Sequence, residues 1–374
     1  MVIILTTAIF VPIVYWHYAS AEEPKSPMFF GVSFGGNTAN EAKLLIDKVK
    51  GYSNFFLVNS WDLSTNETAL NEVCDYAAKA DLNFIVFFSF VSRVAYPWHQ
   101  TWLDTAKEKW GDNFLGVYLF DEPGGKQIDT GGWNEEMGEI FKNASSYGGV
   151  ANTFVDSISS INSTLDLKRR EISMFTSDYA LYWFDYLAGY DTVFVELAWN
   201  HSRPQQIALC RGAANVQGKD WGAIITWTYD EPPYLASGPE ILEDMLTAYE
   251  AGAKYVVVFN YPTYPEDNAY GILSEEHFSA MQQFWTYMQQ HPEDHGKQKA
   301  QVAFVLPKDY GWGMRWREDS MWGLWPADNL SSEIWNKMNT LTERYGQKLD
   351  IVYDDQRFSF SEYSEVYYWD SSIT

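Results

Sequence analysis

Two pairs of adjacent carboxylates follow apolar stretches of this sequence and are the residues best suited to do chemistry. Asp121 and Glu122 follow the run Gly-Val-Tyr-Leu-Phe, and Asp230 and Glu231 follow Ala-Ile-Ile-Thr-Trp-Thr-Tyr. Proline comes directly after each pair, as expected where a strand ends. Glu196, which closes the run Val-Phe-Val, is a fifth candidate. Two carboxyl groups flanking a bond can supply a general acid and a base or nucleophile, which is the chemistry of glycoside hydrolysis.

Apolar runs alternate with amphipathic stretches from residue 28 onward, which predicts an α/β fold. We predict strands at residues 29–34, 54–60, 83–90, 114–120, 172–176, 192–197, 223–228 and 255–260. Continuous apolar runs of this length are typical of parallel strands buried on both faces. With helices between them, these strands predict a (β/α)8 TIM barrel over residues 28–292, with catalytic groups at the strands' carboxyl ends. The alternative, an open doubly wound sheet, favours a G-x-G-x-x-G loop that the sequence does not contain.

A smaller unit is predicted after the barrel. The polar stretch 291–297 indicates a linker, and residues 300–374 predict a small, partial α/β domain. Its predicted elements are strands at 301–306, 349–353 and 365–369 and a helix at 331–345. The Trp-rich segment 311–325 lies between the first strand and the helix, and its composition argues against a linker.

Amides and aromatic rings follow several of the same predicted strands and could bind a sugar. Rings stack on the apolar faces of sugars and amides bind hydroxyls, and 17% of the residues are aromatic. The alternative use for so many rings is a Trp-rich core and an aromatic surface. The candidate substrate-binding residues are Asn59, Trp61, Trp199, Asn200, Trp227, Tyr229, Asn260 and Tyr261.

Composition excludes several function classes. The formal net charge of −24 repels phosphate backbones, so we expect no nucleic-acid partner. The six histidines are scattered and the sequence has no P-loop and no G-x-S-x-G elbow, so we expect neither a metal nor a cofactor. The two cysteines, Cys74 and Cys210, are too few for a disulfide framework and are expected to be buried thiols.

The N-terminus indicates export. Residues 1–16 are almost wholly apolar and Ala-Ser-Ala at 19–21 precedes two glutamates, so residues 1–21 are interpreted as a cleaved signal or a retained membrane anchor. An extracellular or cell-surface location is therefore expected. N-glycosylation sequons, which fit an exported glycoprotein, begin at Asn66, Asn143, Asn162, Asn200 and Asn329.

The run GVYLFDEP, ending at Pro123, resembles the fourth-strand signature of the large clan of retaining (β/α)8 glycoside hydrolases. There the strand ends in Asn-Glu-Pro, and the resemblance implies that Glu122 is the acid/base. The clan's Asn, which contacts the sugar 2-hydroxyl, is replaced here by Asp121. The clan's nucleophile ends the seventh strand, nearest Thr228 here, with Asp230 slightly beyond.

The tail is similar to the flavodoxin-like domain that follows the barrel in some β-galactosidases. The resemblance rests on AQVAFVLPKDYGWGMR and, after a helix, LDIVYDD. Since such domains mediate oligomers there, a homo-oligomer is implied here.

Each catalytic candidate also has a structural alternative. Glu122 could cap the following helix, Asp230 and Glu231 could belong to a polar loop, and Glu196 could pair with Arg203 or Arg211. The second functional hypothesis is accordingly a non-catalytic glycan-binding or cell-surface structural protein built on a decayed glycosidase barrel.

Overall fold

The computed structural model describes residues 28–88, 98–262 and 268–372, and the predicted segment 1–21 lies outside them. In this part of the chain, eight parallel strands pair in sequence order and β1 also pairs with β8, which closes the barrel. This confirms the predicted (β/α)8 barrel. The strands are β1 (Phe29–Phe34), β2 (Phe55–Val58), β3 (Asn83–Phe87), β4 (Phe114–Tyr118), β5 (Ser173–Asp178), β6 (Thr192–Leu197), β7 (Asp220–Ile225) and β8 (Tyr255–Val258).

Helices occupy the connections between the strands and cover the outside of the barrel. They are α1 (Ala39–Val49), α2 (Trp61–Ser64), α3 (Glu67–Lys79), α4 (His99–Trp110), α5 (Pro123–Thr130), α6 (Glu135–Phe141), α7 (Tyr147–Ser159), α8 (Asn162–Arg169), α9 (Tyr182–Ala188), α10 (Arg203–Gln217), α11 (Gly238–Glu250) and α12 (Glu275–Gln290). Within the described residues, no helix has both the length and the apolar character needed to cross a membrane. Cys74 on α3 and Cys210 on α10 are buried free thiols.

Aromatic side chains fill the inside of the barrel. Phe29 stacks on Tyr255 with ring centroids 4.9 Å apart, and Phe175 stacks on Phe194 at 6.0 Å. Gly222 leaves space for these rings, since a Cβ at this position would lie 2.6 Å from the ring of Phe194. Because the interior is a packed apolar core, polar chemistry is confined to the ends of the strands.

The C-terminal region forms a small α/β unit that packs on the barrel. Strands β9 (Val302–Leu306), β10 (Leu349–Tyr353) and β11 (Glu365–Tyr368) form a parallel sheet in the order β10-β9-β11, and α13 (Asn329–Tyr345) joins the first two. Arg211 on α10 donates from Nε to Asp350 on β10 over 2.7 Å, and both side chains are almost wholly buried. The small sheet and the barrel therefore share a buried interface.

The Trp-rich segment 311–325 is ordered and packs against helix α5, which follows strand β4. Trp312 and Trp322 are fully buried. The backbone carbonyl of Trp322 accepts a hydrogen bond from Gln127 of α5 at 2.8 Å, and Arg315 pairs with Asp129 of the same helix at 2.6 Å. The segment thus braces α5, which begins directly after Glu122.

Candidate active site

A cavity of about 400 Å³ opens at the carboxyl ends of the barrel strands. Its polar lining comes mainly from the residues at or just beyond strand ends, where a barrel places catalytic groups. Among the described residues it is lined by Gly35, Asn37, Asn59, Trp61, Asp62, Phe87, Tyr118, Asp121, Glu122, Ser177, Glu196, Ile224, Thr226, Trp227, Phe259, Tyr261 and Pro262.

Glu122 lies between the end of β4 and the start of α5, and its backbone is left-handed with φ 51°. Phe120 is also left-handed, with φ 53°. Such conformations cost about 1–3 kcal/mol each in non-glycine residues and persist where the surroundings impose them. Although Glu122 occupies the N-cap position of α5, its carboxyl accepts no capping bond from that helix. The capping alternative is therefore wrong, and the carboxyl lines the cavity.

Asp178, at the end of β5, caps α5 in place of Glu122. Its carboxylate accepts hydrogen bonds from the backbone N–H groups of Gly124 at 2.6 Å and Gly125 at 2.7 Å. Both glycines are needed for this approach, because a Cβ on Gly125 would lie 2.1 Å from the ring of Tyr179. Burial raises the pKa of Asp178 to about 6 against the opposing effect of these N–H groups. Asp178 thereby fixes the helix that follows Glu122.

Glu196 is the penultimate residue of β6, has an exposure of only 4% and lines the same cavity. Its Oε1 accepts a hydrogen bond of 2.6 Å from the hydroxyl of Ser177. The proposed ion pair with an arginine is wrong, because Arg203 pairs with Asp244 and Arg211 pairs with Asp350.

The carboxyl groups of Glu122 and Glu196 line the same cavity and lie close enough to change each other's pKa. Burial, and after it the negative charge of Asp121, raises the pKa of Glu122 from its usual 4.5 to about 8, although Lys126 opposes the shift. Burial and the charge of Glu122 also raise the pKa of Glu196 well above its usual range. Since two adjacent carboxyl groups in a buried site cannot both ionise cheaply, the pair keeps at least one proton at neutral pH.

A chain of short hydrogen bonds connects Glu196 to Asp121. The oxygens are 2.8 Å apart between Asp121 and Tyr118, 2.7 Å between Tyr118 and Ser177, and 2.6 Å between Ser177 and Glu196. Three contacts require three protons, and the two hydroxyls supply only two. Burial raises the pKa of Tyr118 far above its usual value, so the phenol keeps its proton. Asp121 forms an ion pair with Lys126 at 3.2 Å, so the third proton is present when Glu196 is protonated. When Glu196 is ionised, Tyr118 donates to Asp121 and Ser177 donates to Glu196, and the contact between the two hydroxyls has no proton.

Asp230 and Glu231 lie away from this pair. Strand β7 ends at Ile225, three residues before the predicted end, because the chain turns after Thr226. The two acids fall in a tight loop in which the N–H groups of residues 228 and 229 bond to the carbonyl of Tyr234. Both side chains are exposed, and neither belongs to the described lining of the cavity.

The predicted sugar-binding residues separate into three groups. Four of them line the cavity beside the carboxyl pair: Asn59, Trp61, Trp227 and Tyr261. Trp199 and Asn200 line a second cavity on the same rim. Tyr229 is exposed in the loop with Asp230, and Asn260 is buried with its side-chain oxygen accepting the N–H of Ile272. Neither of these last two belongs to the described lining of either cavity.

Sequence reasoning missed Tyr118, Ser177 and Asp178. Tyr118 was counted as one apolar residue of β4, although its hydroxyl enters the hydrogen-bond chain. The predicted fifth strand stopped at residue 176, whereas β5 includes the next two positions, Ser177 and Asp178. These two polar residues directly after an apolar run could have indicated that the strand end contributes to the site. Among the described residues, no group of three or more His, Cys, Asp or Glu side chains is arranged to hold a metal ion.

No protein-family model and no curated protein sequence matches this chain. Solved structures with a similar fold include a GH99 endo-α-mannosidase from Bacteroides thetaiotaomicron, at 10% identity and TM-score 0.42, covering 69% of this chain and 81% of that one. An endo-1,4-β-xylanase from Caldicellulosiruptor owensensis matches at 11% identity and TM-score 0.42, covering 68% of this chain and 96% of that one. A truncated 3-deoxy-D-arabino-heptulosonate 7-phosphate synthase from Thermotoga maritima matches at 8% identity and TM-score 0.41, covering 72% of this chain and 88% of that one. The similar structures thus include glycoside hydrolases and other barrel enzymes, and likeness this distant identifies no activity.

Proposed function

We propose that this protein is a retaining glycoside hydrolase that acts on a neutral glycan. The observation that carries the proposal is the presence of two interacting carboxyl groups, the partly buried Glu122 and the buried Glu196, in one cavity at the carboxyl ends of the barrel strands. Raised pKa values in a cleft are typical of catalytic acids. The acidic charge of the chain repels anionic polysaccharides, which favours a neutral substrate.

In the proposed first step, Glu122 is the general acid and Glu196 the nucleophile. A carboxylate oxygen of Glu196 bonds to the anomeric carbon while the glycosidic bond breaks, and the leaving oxygen takes the proton of Glu122. Glu196 is ionised for this step because Glu122 holds the proton that the pair shares, and Ser177 donates a hydrogen bond to Glu196. In the second step Glu122 takes a proton from water, the water oxygen bonds to the anomeric carbon, and the bond to Glu196 breaks.

Retention of anomeric configuration is favoured by the closeness of the two carboxyl groups. Inverting enzymes separate them by about 6.5–9.5 Å to leave room for a water molecule, whereas retaining enzymes hold them about 5–5.5 Å apart. Glu122 and Glu196 line one cavity and lie close enough for the charge of Glu122 to raise the pKa of Glu196, which favours the shorter separation. The rings of Trp61, Trp227 and Tyr261 and the amide of Asn59 supply the stacking and hydrogen-bonding surfaces that a sugar needs.

The proposal is tested by measuring product release from a panel of neutral oligosaccharides and polysaccharides, with NMR of the first-formed anomer. Release of a product with the anomeric configuration of the substrate is expected. Inversion would contradict the assignment of Glu196 as nucleophile. Binding of a saccharide without any product would instead support the second functional hypothesis, a glycan-binding barrel.

The pH dependence of the reaction gives a second prediction. Activity is expected to fall as pH rises through about 8, because Glu122 must hold a proton to act as the acid. Lys126→Met removes the nearby positive charge, so the alkaline limb should move up by about one pH unit. Asp121→Asn removes a negative charge and should move the limb down by a similar amount.

Profiles of kcat/KM against pH check these opposite shifts. Lys142→Met, which removes an exposed lysine paired with Glu139 on α6, is the matched control and should leave the limb unchanged. Shifts of the same sign in Lys126→Met and Asp121→Asn would contradict the assignment of Glu122 as the titrating acid.

We propose further that the enzyme acts outside the cell. All five sequon asparagines are exposed, as glycosylation requires: Asn66, Asn143, Asn162, Asn200 and Asn329. The apolar segment 1–16 is consistent with export, either as a signal or as a membrane anchor.

A further inference from the structure

A second cavity, of about 520 Å³, lies on the same rim of the barrel as the carboxyl pair. Trp199 follows Glu196 by three residues and Tyr179 directly follows Asp178, so two of its walls come from the strands that build the candidate active site. Two further walls, Arg315 and Trp316, come from the Trp-rich segment 311–325. The described residues that line it are Asp129, Tyr179, Trp199, Asn200, His201, Arg315 and Trp316.

Aromatic rings dominate this second cavity. Trp199 and Tyr179 meet at 89° with ring centroids 5.9 Å apart, which fixes the orientation of both rings. Trp316 is 47% exposed, and its ring lies under the guanidinium of Arg315 at 4.4 Å. A large ring held in place yet exposed presents an apolar face to a ligand, and a pyranose ring has a matching apolar face of C–H groups.

The charges in the second cavity favour a neutral ligand. Arg315 pairs with Asp129 at 2.6 Å and with Asp319 at 2.8 Å, so two carboxylates more than offset its positive charge. An anionic ligand would meet a net negative charge. Burial, and next the charge of Arg315, lowers the pKa of His201 to about 4, so the imidazole is neutral at physiological pH.

His201 also supplies a hydrogen-bonding atom without a protein partner. Its Nδ1 is buried and makes no hydrogen bond with any described residue. A buried polar atom of this kind costs free energy unless a ligand or water satisfies it. A neutral imidazole nitrogen can bond to a hydroxyl group, whichever tautomer it adopts.

We propose that the second cavity binds another neutral pyranose unit of the same glycan whose glycosidic bond lies at Glu122 and Glu196. That both cavities bind one glycan rests on the proposed function, whereas the recognition of a neutral sugar rests on the second cavity itself. The C-terminal unit thereby takes part in substrate recognition through Trp316 and Arg315.

Calorimetric titration tests this proposal without needing turnover. Glu122→Gln serves as the background, made in a host without N-glycosylation so that Asn200 carries no glycan. It is titrated with manno-, cello- and xylo-oligosaccharides of two to six units. The series that binds is expected to gain affinity with length, and Trp316→Ala is expected to lower the affinity for the longer members about tenfold while sparing the disaccharide.

Two further variants make the result specific. His201→Phe keeps an aromatic ring but removes the nitrogen, and it should also flatten the dependence on length. Tyr368→Ala, which removes a comparably exposed ring from β11, is the control and should change nothing. If the affinity of both Trp316→Ala and His201→Phe still rises with oligosaccharide length as in the background protein, the inference is overturned and the proposed function is unaffected. No binding of any series, together with no hydrolysis by the wild-type protein, would overturn both.

Discussion

Glu196→Gln is expected to abolish hydrolysis of every substrate, whatever its leaving group, because the carboxylate that attacks the anomeric carbon is then missing. Glu122→Gln is expected to behave differently. It should lower kcat/KM for natural glycans by about 10²–10⁴, the usual contribution of a general acid. An aryl glycoside with a good leaving group, such as dinitrophenolate, needs no proton, so its first step should proceed almost normally in Glu122→Gln.

Burst kinetics with dinitrophenyl glycosides measure this difference directly. Glu231→Gln is the matched control, because it makes the same chemical change at an exposed carboxyl outside the described cavity lining, and it should retain wild-type turnover. A variant Glu196→Gln that still released dinitrophenolate would remove Glu196 from the role of nucleophile. Loss of activity in Glu231→Gln would instead indicate a catalytic role for the acids that follow β7, Asp230 and Glu231.

Asp350→Ala is expected to lower the free energy of unfolding by about 3–5 kcal/mol, because it leaves the guanidinium of Arg211 buried without a counter-charge. The carboxylate also accepts hydrogen bonds from Asn215 at 2.9 Å and Tyr363 at 2.8 Å. The effect should appear as a lower urea midpoint for the whole chain, since the pair joins the barrel to the small sheet.

Two comparisons keep this result interpretable. Glu275→Ala breaks a surface pair with Lys48 of the same 2.7 Å length and should cost no more than about 1 kcal/mol. Asp350→Asn keeps the shape and most hydrogen bonds, so it should fold even if Asp350→Ala does not, and should still lose stability. Equal, small losses for Asp350→Asn and Glu275→Ala would contradict a structural role for the buried pair.

The barrel could be predicted from the sequence because each strand is buried on both faces and is therefore a continuous apolar run. Strand ends were harder to predict. The apolar run after Ala223 continues to Trp227, yet β7 stops at Ile225, since the following residues leave the barrel to form a loop. That difference of three residues separates the acids Asp230 and Glu231 from the cavity. The short helix α9 was not predicted either, because tertiary contacts rather than a long apolar stripe stabilise it.

The candidate site was predicted in part. Glu122 followed from its place at a strand end and from the resemblance of its surroundings to a known signature. Glu196 was named, but sequence could not rank it above Asp230 and Glu231, because only the closed barrel shows which strand ends face each other. The apolar pattern of a strand does not distinguish Tyr118 and Ser177, whose hydroxyls enter the site, from residues that only pack in the core. Their role depends on distances of 2.6–2.7 Å that join Ser177 to Tyr118, 59 residues away, and to Glu196, 19 residues away.

The hydrogen-bond chain from Asp121 to Glu196 has two settings that differ only in the positions of protons. In one setting Glu196 is protonated and each group donates to the next in the direction of Asp121. In the other Glu196 is ionised, so the hydroxyl of Ser177 rotates to donate to Glu196 while Tyr118 still donates to Asp121. The site can therefore change the charge of one carboxyl by rotating a single hydroxyl, while the barrel strands that hold it stay in place.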